Sequence, residues 1–148
     1  MKTTLFGERI PENIIEAMEY VEKVLYNTFG WKLMYKSLTN RGRHAKLEFV
    51  DKILGIRKIY LIYQREWFKK FREYFNVDDV GATINCDILE RIATSYDFIV
   101  WVNKNGEVYY VSPIYMKKKV EENNWKREQE KTGEITCHIP VSMLNKIK

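Results

Sequence analysis

The stretch Tyr96 to Pro113, YDFIVWVNKNGEVYYVSP, constrains the fold more than any other part of the chain. Two apolar runs flank Asn105-Gly106, a hairpin signal, because a two-residue type I′ turn needs positive φ at both central positions. Asp97 to Asn103 and Glu107 to Ser112 are therefore expected to pair antiparallel. Phe98, Val100 and Val102 fall on one face of the first strand and Ile99 and Trp101 on the other. A strand apolar on both faces belongs inside a sheet that is covered on both sides.

At 148 residues the chain fits one domain able to bury its own core without disulfides or metals. Its hydrophobic content of 45% argues against disorder, and no apolar run approaches the roughly 18 residues of a membrane-spanning helix. The segment MKTTLFGERIPEN has no run long enough for a signal-peptide core. Cys86 and Cys137 are too few and too far apart for a disulfide scaffold, so a cytoplasmic, reducing setting is expected, with both cysteines as unpaired packing residues. The net charge of +5 permits nucleic acid as a partner, although the charges are interspersed. Abundant Lys, Glu and Ile with scarce Gln and Ala match thermophile composition.

In chain order, Pro11 opens an amphipathic helix with Ile14, Met18, Val21 and Leu25 on one stripe and Gly30 as its C-terminal stop. Trp31 to Ser37 and Ala45 to Val50 alternate as half-buried strands, the latter with Ala45, Leu47 and Phe49 inward, and Thr39 to Arg43 forms a turn. Lys58 to Gln64 reads as a more apolar strand. Arg65 to Phe75 places Trp67, Phe68, Phe71, Tyr74 and Phe75 at helical spacing. A short helix follows over Cys86 to Ser95, and after the hairpin Ser112-Pro113 caps another helix from Ile114 to about Val120. Glu121 to Thr132 either continues that helix or forms a loop. Glu134 to Ile139 reads as a strand, and Pro140 starts a terminal helix carrying Val141, Leu144 and Ile147. The expected order is α, β, β, β, α, α, β, β, α, β, α.

Chemistry-bearing motifs are sparse. His44, Cys86, Cys137 and His138 lack ligand spacing, since neighbours in a strand point to opposite faces, and no glycine loop of phosphate-cradling type occurs. Trp67, Phe68, Phe71 and Phe75 sit at core spacing rather than as base-stacking platforms. Lys117, Lys118 and Lys119 are interleaved with nearby acids and read as a solvated face. The cluster Arg41, Arg43, His44 and Lys46, joined by Lys69, lies where side chains can reach a phosphate backbone.

The order helix, three strands, helix, strand resembles the PD-(D/E)xK nuclease superfamily. Gly30-Trp31-Lys32-Leu33, Ala45-Lys46-Leu47-Glu48-Phe49 and Ile62-Tyr63-Gln64 carry the resemblance over roughly residues 11 to 120. It implies a single α/β domain with a mixed, twisted sheet flanked by helices, a restriction-endonuclease-like core. The family's chemistry uses two carboxylates to hold Mg²⁺ and a lysine to orient water. Here Lys46 stands where the family has its metal-binding Asp, Ile62 where it has an acid and Gln64 where it has the lysine. The resemblance therefore implies a catalytically degenerate protein that binds nucleic acid through Arg41, Arg43, Lys46 and Lys69. Glu48, Gln64 and Glu19 form its candidate residual catalytic set, with Glu48 as the metal ligand; Glu16 and Glu66 are the other acids that could converge there. Two alternatives stand beside this: an active Mg²⁺-dependent endonuclease with a rearranged site, and a protein-interaction or dimerisation module, a homodimer among its forms, that uses its aromatic surface without nucleic-acid contact.

Overall fold

The computed structural model describes residues 9–148. Helix α1 (Ile14–Phe29) begins where the Asn13 side chain accepts the Glu16 amide, and ends at Gly30, whose φ of 75° lets its N–H return to the Tyr26 carbonyl. Strands β1 (Lys32–Leu38), β2 (His44–Asp51) and β3 (Gly55–Tyr63) follow as an antiparallel meander. The chain then forms α2 (Phe71–Phe75), β4 (Gly81–Asn85) and α3 (Cys86–Ile92) before β5 (Phe98–Val102), which lies parallel to β3. After β6 (Val108–Val111) come α4 (Pro113–Asn123), β7 (Lys126–Glu128), β8 (Ile135–Pro140), a 3-10 turn (Val141–Met143) and β9 (Asn145–Lys146). Six strands make a mixed sheet in the order β1-β2-β3-β5-β6-β9, and β4-β8-β7 make a small antiparallel sheet. The fold is mixed α/β, with its hairpin inside the larger sheet as expected. No helix among the described residues is long and apolar enough to cross a membrane.

Alternation along β3 and β5 produces two cores. Ile59, Leu61, Tyr63, Val100 and Val102 pack with Ala45, Leu47 and Phe49 against α1. Tyr60, Ile62, Ile99 and Trp101 face the other way, onto α3, α4 and the small sheet. The Trp101 indole N–H donates to the Thr83 carbonyl across that layer, which satisfies the one polar atom of a side chain with no exposed surface.

Several expectations need correction. The hairpin turn is not type I′: only Gly106 of the Asn-Gly pair has positive φ, and Lys104-Asn105-Gly106 form a three-residue loop. The Asn103 side-chain oxygen accepts the Asn105 and Glu107 amides and stabilises this longer loop. Arg65 to Phe75 is helical only over its last turn, because Phe68 instead bridges to Gly81 at the edge of the small sheet and its ring stacks on His138. The Glu121–Thr132 run divides into the end of α4, β7 and a turn. Pro140 closes β8 and leads into a single 3-10 turn, Val141–Met143, instead of a helix reaching Ile147, and the chain returns to pair β9 with β6.

The cysteines are not free. Cys86 and Cys137 are disulfide-bonded, with Cα atoms 5.2 Å apart. Spacing along the chain misled here, because β4 pairs with β8 and sets Ile84, the residue two before Cys86, opposite Cys137. Closing 51 residues stabilises the fold by about 4 kcal/mol on a chain-entropy basis.

Gly81 is needed for space. A Cβ there would stand 2.6 Å from Cδ2 of Phe71, whose side chain is fully buried. Gly81→Ala should cost about 1–3 kcal/mol through overpacking, read as a lower urea midpoint at unchanged slope. A midpoint equal to that of the parent would contradict this packing.

Candidate nucleic-acid interface

The turn between β1 and β2 is built by Thr39, which accepts the Arg41 amide on its hydroxyl while its own N–H bonds the His44 carbonyl. Gly42, at φ 71°, completes the reversal. This presents Arg41 to a cavity of about 460 Å³ between the β1–β2 end of the sheet and α3. Lys46 of β2 and Arg91 of α3 line the same cavity, together with Thr39, Tyr60, Ser95 and Tyr96. Arg41 pairs with Glu134, but among the described residues neither Lys46 nor Arg91 has a carboxylate oxygen within 4.0 Å. Three cationic side chains and several hydroxyl-bearing residues thus line one concavity.

Tyr60, which lines the cavity, bonds a neutral histidine. His44 Nδ1 lies 2.7 Å from the Tyr60 hydroxyl, and burial, reinforced by Arg41 and Arg43, lowers the imidazole to about 4. Burial also raises Tyr60, so both groups stay uncharged at neutral pH. The hydrogen bond and the edge-on ring contact with His44 fix the Tyr60 ring beside the cavity. The Glu134 carboxyl is held below its ordinary value, first by the hydrogen bond from Arg41.

No family, curated protein or solved structure matches this chain.

The residues expected to form a catalytic set are placed apart. Glu19 is on α1 beside Glu16 and Lys23, on the face of the sheet opposite Glu48. Glu48 stands across from Lys58, six positions before Gln64, roughly 20 Å along the strand. Gln64 is a structural clasp: its oxygen accepts the Thr83 amide and its nitrogen donates to the Gly81 and Glu66 carbonyls, which fastens β4 to the end of β3. Glu66 pairs with Lys104 at 2.6 Å, and Lys69 lies near Glu66 rather than on the cavity. Ile62 is packed in the core at 4% exposure. Among the described residues no three His, Cys, Asp or Glu side chains gather closely enough to share an ion. Lys46 and Ile62, where the resemblance implies the two Mg²⁺-holding carboxylates, do not fit that ion, and Gln64, where it implies the lysine, carries no charge.

Arg43 is exposed on the turn beside Arg41. Arg91 escaped the sequence reading because it arrives from the β3–β5 crossover, far along the chain from the Arg41 cluster. Its position one turn before Ser95-Tyr96 on an expected helix was the available signal.

Two buried histidines contribute to the acid response of the fold. His138 is 1% exposed, with neither ring nitrogen bonded, among Phe68, Phe71 and Phe75; burial and then Arg127 lower it to about 3. Because both folded values lie below the ordinary 6.5, the unfolded chain takes up protons first, and stability present above about pH 6.5 is lost as pH falls toward 4 and 3. Between pH 7 and 5 each histidine should account for about 2 kcal/mol of lost stability. His138→Leu should therefore remove about half of the loss measured by denaturant unfolding at the two pH values. An undiminished loss in that variant would contradict the assignment.

Proposed function

We propose that the protein binds nucleic acid by gripping backbone phosphates at the cavity between the β1–β2 turn and α3, without a metal-dependent cleavage site of its own. The observation that carries this reading is the convergence of Arg41, Lys46 and Arg91 on one cavity, two of them without a carboxylate partner among the described residues. Arg43, on the same turn, extends the basic surface outward. Phosphate contacts of this kind position a chain without reading its sequence, and the cavity supplies no arrangement specific to one base. The dispersal of Glu19, Glu48 and Gln64 supports binding over hydrolysis. A restriction-endonuclease-like core agrees with the succession of α1, three antiparallel strands, a helical crossover and a strand parallel to the third, and on that reading the catalytic positions have been converted to core and clasp.

A second reading is favoured by a different surface. Among the described residues strand β1 is a sheet edge, and Met34, Tyr35 and Leu38 on it and Ile53 and Ile56 at the β2–β3 end are half or more exposed. This edge suits self-association, which would appear as a mass that rises with protein concentration in the absence of nucleic acid.

For the first reading, anisotropy titration of labelled duplex DNA should show log affinity falling with log salt, at a slope near −0.9 per neutralised phosphate. Lys46→Ala and Arg91→Ala should each weaken binding about fivefold to tenfold and reduce the slope by about one. Lys23→Ala, on the far side of the sheet, should leave both unchanged. Binding that ignores salt, or that falls as much in Lys23→Ala, would overturn the assignment.

A further inference from the structure

We propose that the Cys86–Cys137 disulfide positions Arg41 through Asn85 and Glu134, so that reducing it loosens the phosphate-binding cavity. The inference rests on the nucleic-acid reading above and concerns how that site is controlled.

The connection is continuous. Asn85 ends β4 immediately before Cys86 and is 9% exposed. The Asn85 oxygen accepts the Ile88 amide and caps α3, while its nitrogen donates to Glu134 Oε1. That same Glu134 oxygen accepts from Arg41 on the β1–β2 turn. Glu134 directly precedes β8, which carries Cys137. The disulfide therefore joins the two segments that supply Asn85 and Glu134, close to the point where they meet. Helix α3, tethered at its first residue, also carries Ile88 and Arg91 to the cavity wall. Without the tether, Asn85 and Glu134 keep β4–β8 pairing, core packing and their own hydrogen bond but lose the covalent link between their segments, and part of the order of Arg41 and of the α3 wall must be established on binding instead of beforehand.

Reduction is a two-electron exchange with a dithiol. One reductant thiolate attacks Sγ of half-buried Cys86, breaks the Cys86–Cys137 bond and releases Cys137 as a thiolate that takes up a proton. The reductant's second thiol then attacks its own sulfur in the mixed disulfide and releases Cys86. The reductant leaves as a disulfide, and the protein gains two electrons and two protons as two thiols.

The experiment compares oxidised and dithiothreitol-reduced protein, with Cys86→Ser/Cys137→Ser as a second form lacking the bond. Without DNA, reduction should raise amide exchange at Ile88 and across Thr39 to His44, and the double variant should match the reduced form whether or not reductant is present. With duplex DNA, reduction should weaken binding roughly tenfold, the order set by one charge-assisted hydrogen bond. Asn85→Ala, which keeps the disulfide but cuts its route to Glu134, should bring the ratio of the two affinities toward one. Equal exchange at Thr39 to His44 in the two redox states would overturn the proposal whether or not DNA binds, as would equal DNA affinities. Redox-dependent exchange in a protein that binds DNA in neither state would support the mechanical relay and retire the nucleic-acid reading instead.

Discussion

The parallel pairing of β3 with β5 is the constraint on which the structure depends. Ile59 to Tyr63 run beside Phe98 to Val102 in unbroken register, with apolar side chains alternating to both faces. Each large aliphatic side chain buried there contributes roughly 1.5–3 kcal/mol. Neither strand can be left at an edge or uncovered without losing that contribution. One face is met by α1 and the other by α3, α4 and the small sheet, and β2 and β6 pair with the outer sides of the two strands. A parallel pair also demands a crossover, and the segment that provides it contains β4 and α3.

The cavity follows from where that second layer ends. Helix α3 sits over β3 and β5, and its Ile88 and Ile92 pack into the core while Arg91 reaches the boundary with the less covered β1–β2 half of the sheet. On that boundary β2 presents Lys46 and β3 presents the Tyr60 hydroxyl, from a ring whose body remains in the core. The polar seam between a covered and an open part of one sheet is thus the place where cations can gather without being buried. Glu134 reaches the seam from the small sheet and links the layers through Arg41 and Asn85.

How much of this was legible in the sequence depended on the range of the interactions. Helix α1, strands β1 to β3, the hairpin and α4 carry local periodicity and caps, and they formed close to where that pattern placed them. The segment from Arg65 to Phe75 satisfied helical spacing with aromatics, but Trp67 packs edge-on to Tyr109 and Phe68 stacks on His138, contacts with distant residues that override propensity. Strands β4 and β7 are short and make sense only through their pairing with β8. In the site, Arg41, Arg43 and Lys46 were readable as a cluster because they are neighbours in the chain. Arg91, Glu134 and the disulfide were not, since all three are created by the crossover and the small sheet. Gln64 shows the same limit: its catalytic position in the resemblance gave no sign that its amide fastens β4 to β3.

The central claim is that nucleic acid occupies the seam between the β1–β2 turn and α3. Amide NMR of the oxidised protein titrated with a short duplex tests it most directly. The account predicts that shift changes concentrate at Thr39 to Lys46 and at Arg91 to Tyr96 and fade as salt is raised. Changes centred on α1 and Lys148, or on Lys117 to Lys119 of α4, would contradict it.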